Sequence, residues 1–300
     1  MKKRGLAVLL AGIMTVMTPM AVMADREDAK LETPYISLGS DLKQDERAKV
    51  LELLGVTEDE LKNYTVAEVT NKDEHKYLDG YLDASVIGSR ALSSVLVVGK
   101  ESGYGIKVKT QNISYCTVGM YQNALATAGI QDADINVAGP FKISGTAALV
   151  GAIKSYENMT GETVSAESVD TATNELVVTS QLGEDIGDSE KAEQLIGAVK
   201  EKVVEAENAD PKEVEKIVTQ AAEELEVNLS EADRQKIVDL MSKIDGLNLN
   251  IDDLKSQAKD LYDKLSKLDL NLSDADKEKV GNFFQRLWDG IVNFFDNFFN

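Results

Sequence analysis

The sequence predicts an α+β protein: an N-terminal mixed α/β domain with a small four-stranded sheet, followed by an all-helical C-terminal region. Three observations predict it. Between residues 64 and 138 the apolar pattern shortens to strand-like runs separated by glycines, whereas beyond residue 161 it keeps a helical period throughout. Composition changes at the same place. Residues 25–161 carry a net charge of −6 and eight of the nine tyrosines, and residues 162–300 carry −17 and six of the seven phenylalanines. Finally, 300 residues at 43% hydrophobic content supply one large or two ordinary cores, which excludes a disordered chain.

The elements follow in order. Residues 1–24 have the three parts of a secretory signal: Lys2, Lys3 and Arg4, an uncharged run over 5–17, and Val22-Met23-Ala24 as a small-x-small cleavage site. Cleavage after Ala24 is expected, and with it a secreted protein of the extracellular space or cell envelope. As an uncleaved anchor the run would fall short of the ~20 apolar residues a span needs, and Pro19 interrupts it. No later stretch is long and apolar enough to act as a transmembrane helix.

In the 25–161 domain, Val50, Leu51, Leu53 and Leu54 mark a helix over 43–54 ended by Gly55, and Thr57-Glu58-Asp59-Glu60 opens a short helix with a capping box. Residues 64–70 read as a strand and 73–82 as a helix. Residues 92–98 and 106–110 read as a hairpin turning at Gly99, Gly103 and Gly105. A helix over 117–128, a strand over 135–138 and a helix from 146 complete the domain. The order strand, helix, two strands, helix, strand matches a ferredoxin-like arrangement.

The 162–280 region reads as helices. Val177, Val178 and Thr179 would also suit a strand. Asp210-Pro211 caps and opens a helix, and Leu254, Ala258, Leu261, Leu265 and Leu268 form a heptad seam. A repeat, [VL]-N-L-[SN]-x-x-D, begins at 227, 247 and 270, and places Ser230, Asn250 and Ser273 as N-caps of helix-hairpin units.

Composition excludes several functions. A formal net charge of −20 with no basic stripe repels nucleic acid and anionic lipid. One cysteine and one histidine exclude disulfide pairing within the chain and zinc sites built from several such ligands. Asp132-Ala133-Asp134-Ile135-Asn136 opens like a calcium loop but has Val137 where glycine is required and no closing glutamate. No metal or cofactor is therefore expected.

Two constellations could carry chemistry. Cys116 at a helix start and His75, the only imidazole, could form a nucleophile and base; alternatively Cys116 is a small buried side chain and His75 part of a solvated face, Asp73-Glu74-His75-Lys76. Gly139, Lys142, Ser144, Gly145 and Thr146 join a strand to a helix, either as a ligand- or anion-binding turn or as ordinary capping. Lys142 is misplaced for a phosphate loop, which wants lysine directly before the Ser/Thr.

The last segment, 281–300, is an amphipathic helix whose apolar face includes Phe284, Leu287, Trp288, Ile291, Phe295 and Phe298. Such a face docks on the protein's own core, on a second copy or another protein, or at a membrane interface.

The stretch from Ile113 to Gly161 (ISYCTVGMYQNALATAGIQDADINVAGPFKISGTAALVGAIKSYENMTG) resembles the YpuA-like family of secreted proteins of Gram-positive bacteria, domain of unknown function 1002. The likeness extends from Leu53-Leu54-Gly55-Val56-Thr57 through Tyr81-Leu82-Asp83-Ala84-Ser85 to Asn174-Glu175-Leu176-Val177-Val178. It implies export and a bacterial source, and supplies no catalytic residue, substrate or cofactor. The reading is a secreted non-enzymatic binding or structural protein, with a hydrolase using Cys116 or a carboxylate pair as the alternative.

Overall fold

The computed structural model describes residues 34–254, apart from 162, 207, 248, 250, 252 and 253. The segment 1–24, the repeat at 270, the seam beyond Leu254 and the 281–300 helix lie outside the described residues.

Among the described residues the sheet has five strands, not four: β1 (Tyr35–Gly39), β2 (Thr65–Val69), β3 (Ser94–Gly99), β4 (Ile106–Ile113) and β5 (Ala133–Ile143), in the order β2-β1-β3-β5-β4. The strand missing from the sequence reading is β1. It is buried on both faces, so Tyr35, Ile36, Ser37 and Leu38 show no apolar/polar alternation. Its two hydroxyls are satisfied inside: Ser37 Oγ lies 3.2 Å from the Gly151 carbonyl and 2.9 Å from Ser155 Oγ, and Tyr35 Oη donates to the Asn158 carbonyl at 3.1 Å.

The expected hairpin of β3 and β4 does not form. β5 lies between them, antiparallel to β3 and parallel to β4, so the ferredoxin-like order is replaced. The turn that resembled a hairpin closes on β5: Lys100 N donates to Asp132 O (2.9 Å), Gly105 N to Asp132 Oδ1 (2.8 Å) and Tyr104 Oη to Asp134 Oδ1 (2.8 Å). β5 also runs to Ile143. Pro140, which has no N–H to give, falls just past the last β3 pair, Ser94 with Ala138.

Helices cover both faces. α1 (Gln44–Leu54) lays Val50, Leu51 and Leu54 on Ile36, Leu38, Leu96 and Ala138. A 3-10 helix (Glu58–Asn63) carries the expected capping box, with Thr57 N donating to Glu60 Oε2 at 2.8 Å. The opposite face, with Tyr35, Val95, Val97 and Ile135, packs against α4 (Val118–Thr127) and α5 (Thr146–Thr160). Two short helices, α2 (Asn71–Leu78) and α3 (Ala84–Ile87), link β2 to β3.

From residue 166 to residue 245 the described chain is helical: α6 (Ala166–Ile186), α7 (Ser189–Ala206), α8 (Pro211–Glu224) and α9 (Glu231–Asp245). Val177 to Thr179 sit inside α6, where packing overrides their strand preference. The caps form where the residue types place them: Asp210 accepts from Lys212 N and Glu213 N, and Ser230 from Asp233 N.

α6 belongs to both cores. Val169, Ala172 and Leu176 pack into the sheet cluster, and Val178 and Leu182 into the cluster formed with α7, α8 and α9. A buried ion pair ties this joint. Lys200 Nζ lies 2.8 Å from Glu175 Oε1, their side chains 2% and 0% exposed, and also donates to the Asn123 carbonyl of α4 at 2.9 Å.

Candidate functional site

A cavity of about 310 Å³ opens where α5 begins, lined from α2 by Glu74, from the 85–93 segment by Ser85, Ser89, Arg90 and Ser93, from the end of β5 by Phe141, and from the turn into α5 and its first residue by Ser144 and Thr146. Local rules build each wall. Thr70 caps α2 reciprocally with Asp73: Asp73 N donates to Thr70 Oγ1 at 3.1 Å and Thr70 N to Asp73 Oδ2 at 2.9 Å. That fixed start puts Glu74 on the same helix face as Leu78, four residues on, and both are buried. Lys154 of α5 pairs with Asp73 at 2.9 Å and holds α2 in place.

The 85–93 wall is anchored at Gly39, where an added Cβ would lie 2.3 Å from the Ala91 carbonyl oxygen. Asp41 Oδ2 accepts from Ala91 N at 2.8 Å, and Arg90 Nη2 donates to Glu46 Oε2 at 2.5 Å and to the Asp41 carbonyl at 2.6 Å. Between Ser144 and Thr146, Gly145 caps α5 with φ +100, and its carbonyl accepts from Tyr121 Oη at 2.6 Å.

Glu74 is 1% exposed. Burial pushes its carboxyl up to about 7, against the hydrogen bonds from Thr146 Oγ1 at 2.7 Å and Asn71 Nδ2 at 3.3 Å that favour the ionised form. Its neighbour Asp73 goes the other way. There burial is outweighed by the Thr70 hydrogen bonds and by Lys154, and the carboxyl is held at about 2. Arg90 brings no spare charge to the cavity, because Glu46 takes it up.

Cys116 and His75 occupy different settings. Cys116 is 2% exposed within the sheet core; burial pushes its thiol up to about 12, and its side-chain partner is Tyr121. A thiol at that value is protonated at neutral pH and a poor nucleophile. His75 is partly exposed and its Nδ1 is 2.5 Å from Asp79 Oδ1, which raises its pKa.

Of the strand-to-helix residues, Ser144 and Thr146 line the cavity, and Gly145 between them faces Tyr121, Ile113 and Cys116 in the core. Gly139 is buried within β5, its carbonyl accepting from Asn112 Nδ2 at 3.0 Å, and Lys142 is exposed outside the lining. Glu74, Phe141 and the 85–93 wall escaped the sequence reading. Glu74 sits in a charged run, and only the register set by the Thr70 cap shows that it turns inward. Phe141, 49% exposed at the end of β5, carries no motif.

Among the described residues no group of three or more His, Cys, Asp or Glu is placed to hold a metal ion, and no helix is long and apolar enough to cross a membrane. No solved structure matches the chain. The sequence is 38% identical over 297 residues to the Bacillus subtilis (strain 168) protein named "Uncharacterized protein YpuA", covering 98% of this chain and 100% of that one. The family described as "Protein of unknown function (DUF1002)" matches residues 38–261, three quarters of the chain. With the family matched over that length and a full-length relative alongside it, the chain belongs to the DUF1002 family of YpuA-like proteins.

Proposed function

We propose that this is an exported, non-enzymatic binding protein of the bacterial cell envelope, and that the cavity at the start of α5 is its ligand site. The observation that carries the reading is the lining: serine and threonine hydroxyls, a buried carboxyl and an arginine already paired with Glu46, set among the apolar side chains of Val86, Ile87, Leu92 and Ile143 and beside the half-exposed Phe141 ring. Export, and with it a place at or beyond the envelope, is supported by the basic, apolar and small-residue parts of residues 1–24. One observation favours the hydrolase alternative, in the form of a carboxylate acid rather than Cys116. A carboxyl held near 7 is suited to general acid or base work.

Sedimentation with purified cell-wall sacculi tests both. The binding reading predicts that the protein pellets with the sacculi, releases no soluble fragments, and stays in solution when Ser89→Phe fills the cavity mouth. Fragment release abolished by Glu74→Gln would instead establish the hydrolase. Failure of the parent protein to pellet would end the envelope-binding reading.

A further inference from the structure

We propose that the cavity takes a neutral, polyhydroxylated ligand, one sugar residue of a glycan, with the Phe141 ring as the face against which the sugar lies. The inference rests on the envelope-binding reading and names its ligand class. Charge on the walls decides between ligand classes. An anion would gain from the N-terminal end of α5 but would face the Glu74 carboxyl. The one cation in the lining, Arg90, is already held by Glu46 and the Asp41 carbonyl. A cation would gain from Glu74 and face the same helix end. A neutral ligand meets neither penalty.

The polar groups fit hydroxyls. Ser85 and Ser89 at the mouth have no hydrogen-bond partner among the described residues, and Ser144 Oγ and Thr146 Oγ1 lie 3.2 Å apart further in. The Ser85, Ser89 and Ser144 hydroxyls can each donate or accept, and Thr146, whose proton goes to Glu74, can accept, which matches the mixed demand of a sugar ring. Phe141, 49% exposed beside them, offers an apolar face to the C–H side of such a ring. The volume of about 310 Å³ lies at the small end of ligand pockets, roughly 300–1,000 Å³, which suits a single residue of a chain.

Calorimetric titration of the purified protein at pH 7 with tri-N-acetylchitotriose, glycerol 3-phosphate and choline separates the classes. The trisaccharide is expected to bind and the two charged probes not. Phe141→Ala should weaken the trisaccharide about 3- to 10-fold, the worth of one aromatic contact. Binding of glycerol 3-phosphate or choline that Ser89→Phe removes, or trisaccharide binding that survives both Phe141→Ala and Ser89→Phe, would overturn the assignment. If none of the probes binds while sacculi still sediment the parent and not Ser89→Phe, the sugar assignment fails and the envelope-binding reading stands. If sedimentation too ignores Ser89→Phe, both fail.

Discussion

The starts of α4 and α5 are built alike and end differently. At each, a buried glutamate from another helix meets a threonine at the helix start: Glu193 of α7 accepts from the Thr117 hydroxyl, and Glu74 of α2 from the Thr146 hydroxyl. Burial pushes both carboxyls up to about 7. At α4 the carboxylate takes the space where a side chain on Gly119 would stand; an added Cβ would lie 1.9 Å from Glu193 Oε2. At α5 the carboxyl borders a cavity. A perturbed carboxyl is thus not evidence of a binding site. What distinguishes the two is the open volume: Glu193 is a structural group, and Glu74 borders the proposed recognition site.

The sharpest way to break that division is at the joint beside α4. Lys200→Met leaves Glu175 buried without its cation, and should cost about 3–5 kcal/mol in denaturant unfolding, while pairing it with Glu175→Leu should recover much of the loss. A cost under about 1 kcal/mol for the single variant would mean that the joint carries little of the fold's stability.

Next in size is the pH dependence. Glu74 and Glu193 have folded pKa values near 7 against an ordinary value of 4.5, so between these the folded state holds protons that the unfolded state has released. Stability should therefore rise as pH falls from about 7.5 to 5, each acid contributing at most ~3 kcal/mol. Asp73, held at about 2, contributes in the opposite sense and only below its ordinary 3.8. Glu74→Gln and Glu193→Gln should each flatten part of the 5–7.5 slope, as read from thermal melts. A parent profile flat over that range would contradict the burial of both acids.

Smaller effects sharpen the comparison. Gly119→Ala crowds Glu193 and should destabilise by about 1–3 kcal/mol, without changing sedimentation with sacculi; Ser89→Phe should do the reverse. Cys116→Ser should cost about 1 kcal/mol and leave binding within a few-fold. The parent thiol should stay inert to a disulfide reagent at pH 8 until the protein unfolds, and fast reaction in the folded state would refute its burial.

What was legible in the sequence follows from how local its cause is. The helix starts at Asp210-Pro211, Ser230 and Thr57 were readable because a cap needs only its own next few residues. β1 was not, because YISLG is buried on both faces and Ser37 finds its partners more than a hundred residues away. The placement of β5 between β3 and β4 was equally out of reach, since the Gly103 and Gly105 turn that suggests a hairpin is fastened to Asp132. For the site, Ser144, Gly145 and Thr146 could be found as a strand-to-helix junction. Glu74 and Phe141 reach the same place from α2 and from an unexpectedly long β5, which only tertiary structure determines.

Carbon NMR of the Glu74 and Glu193 side-chain carboxyls through a pH titration, with and without tri-N-acetylchitotriose, separates the two helix starts. Both should titrate near 7 in the free protein, and the sugar should move the Glu74 titration while leaving that of Glu193 unchanged. A sugar that binds yet leaves Glu74 unmoved, or that shifts Glu193 instead, would contradict the assignment of recognition to the start of α5.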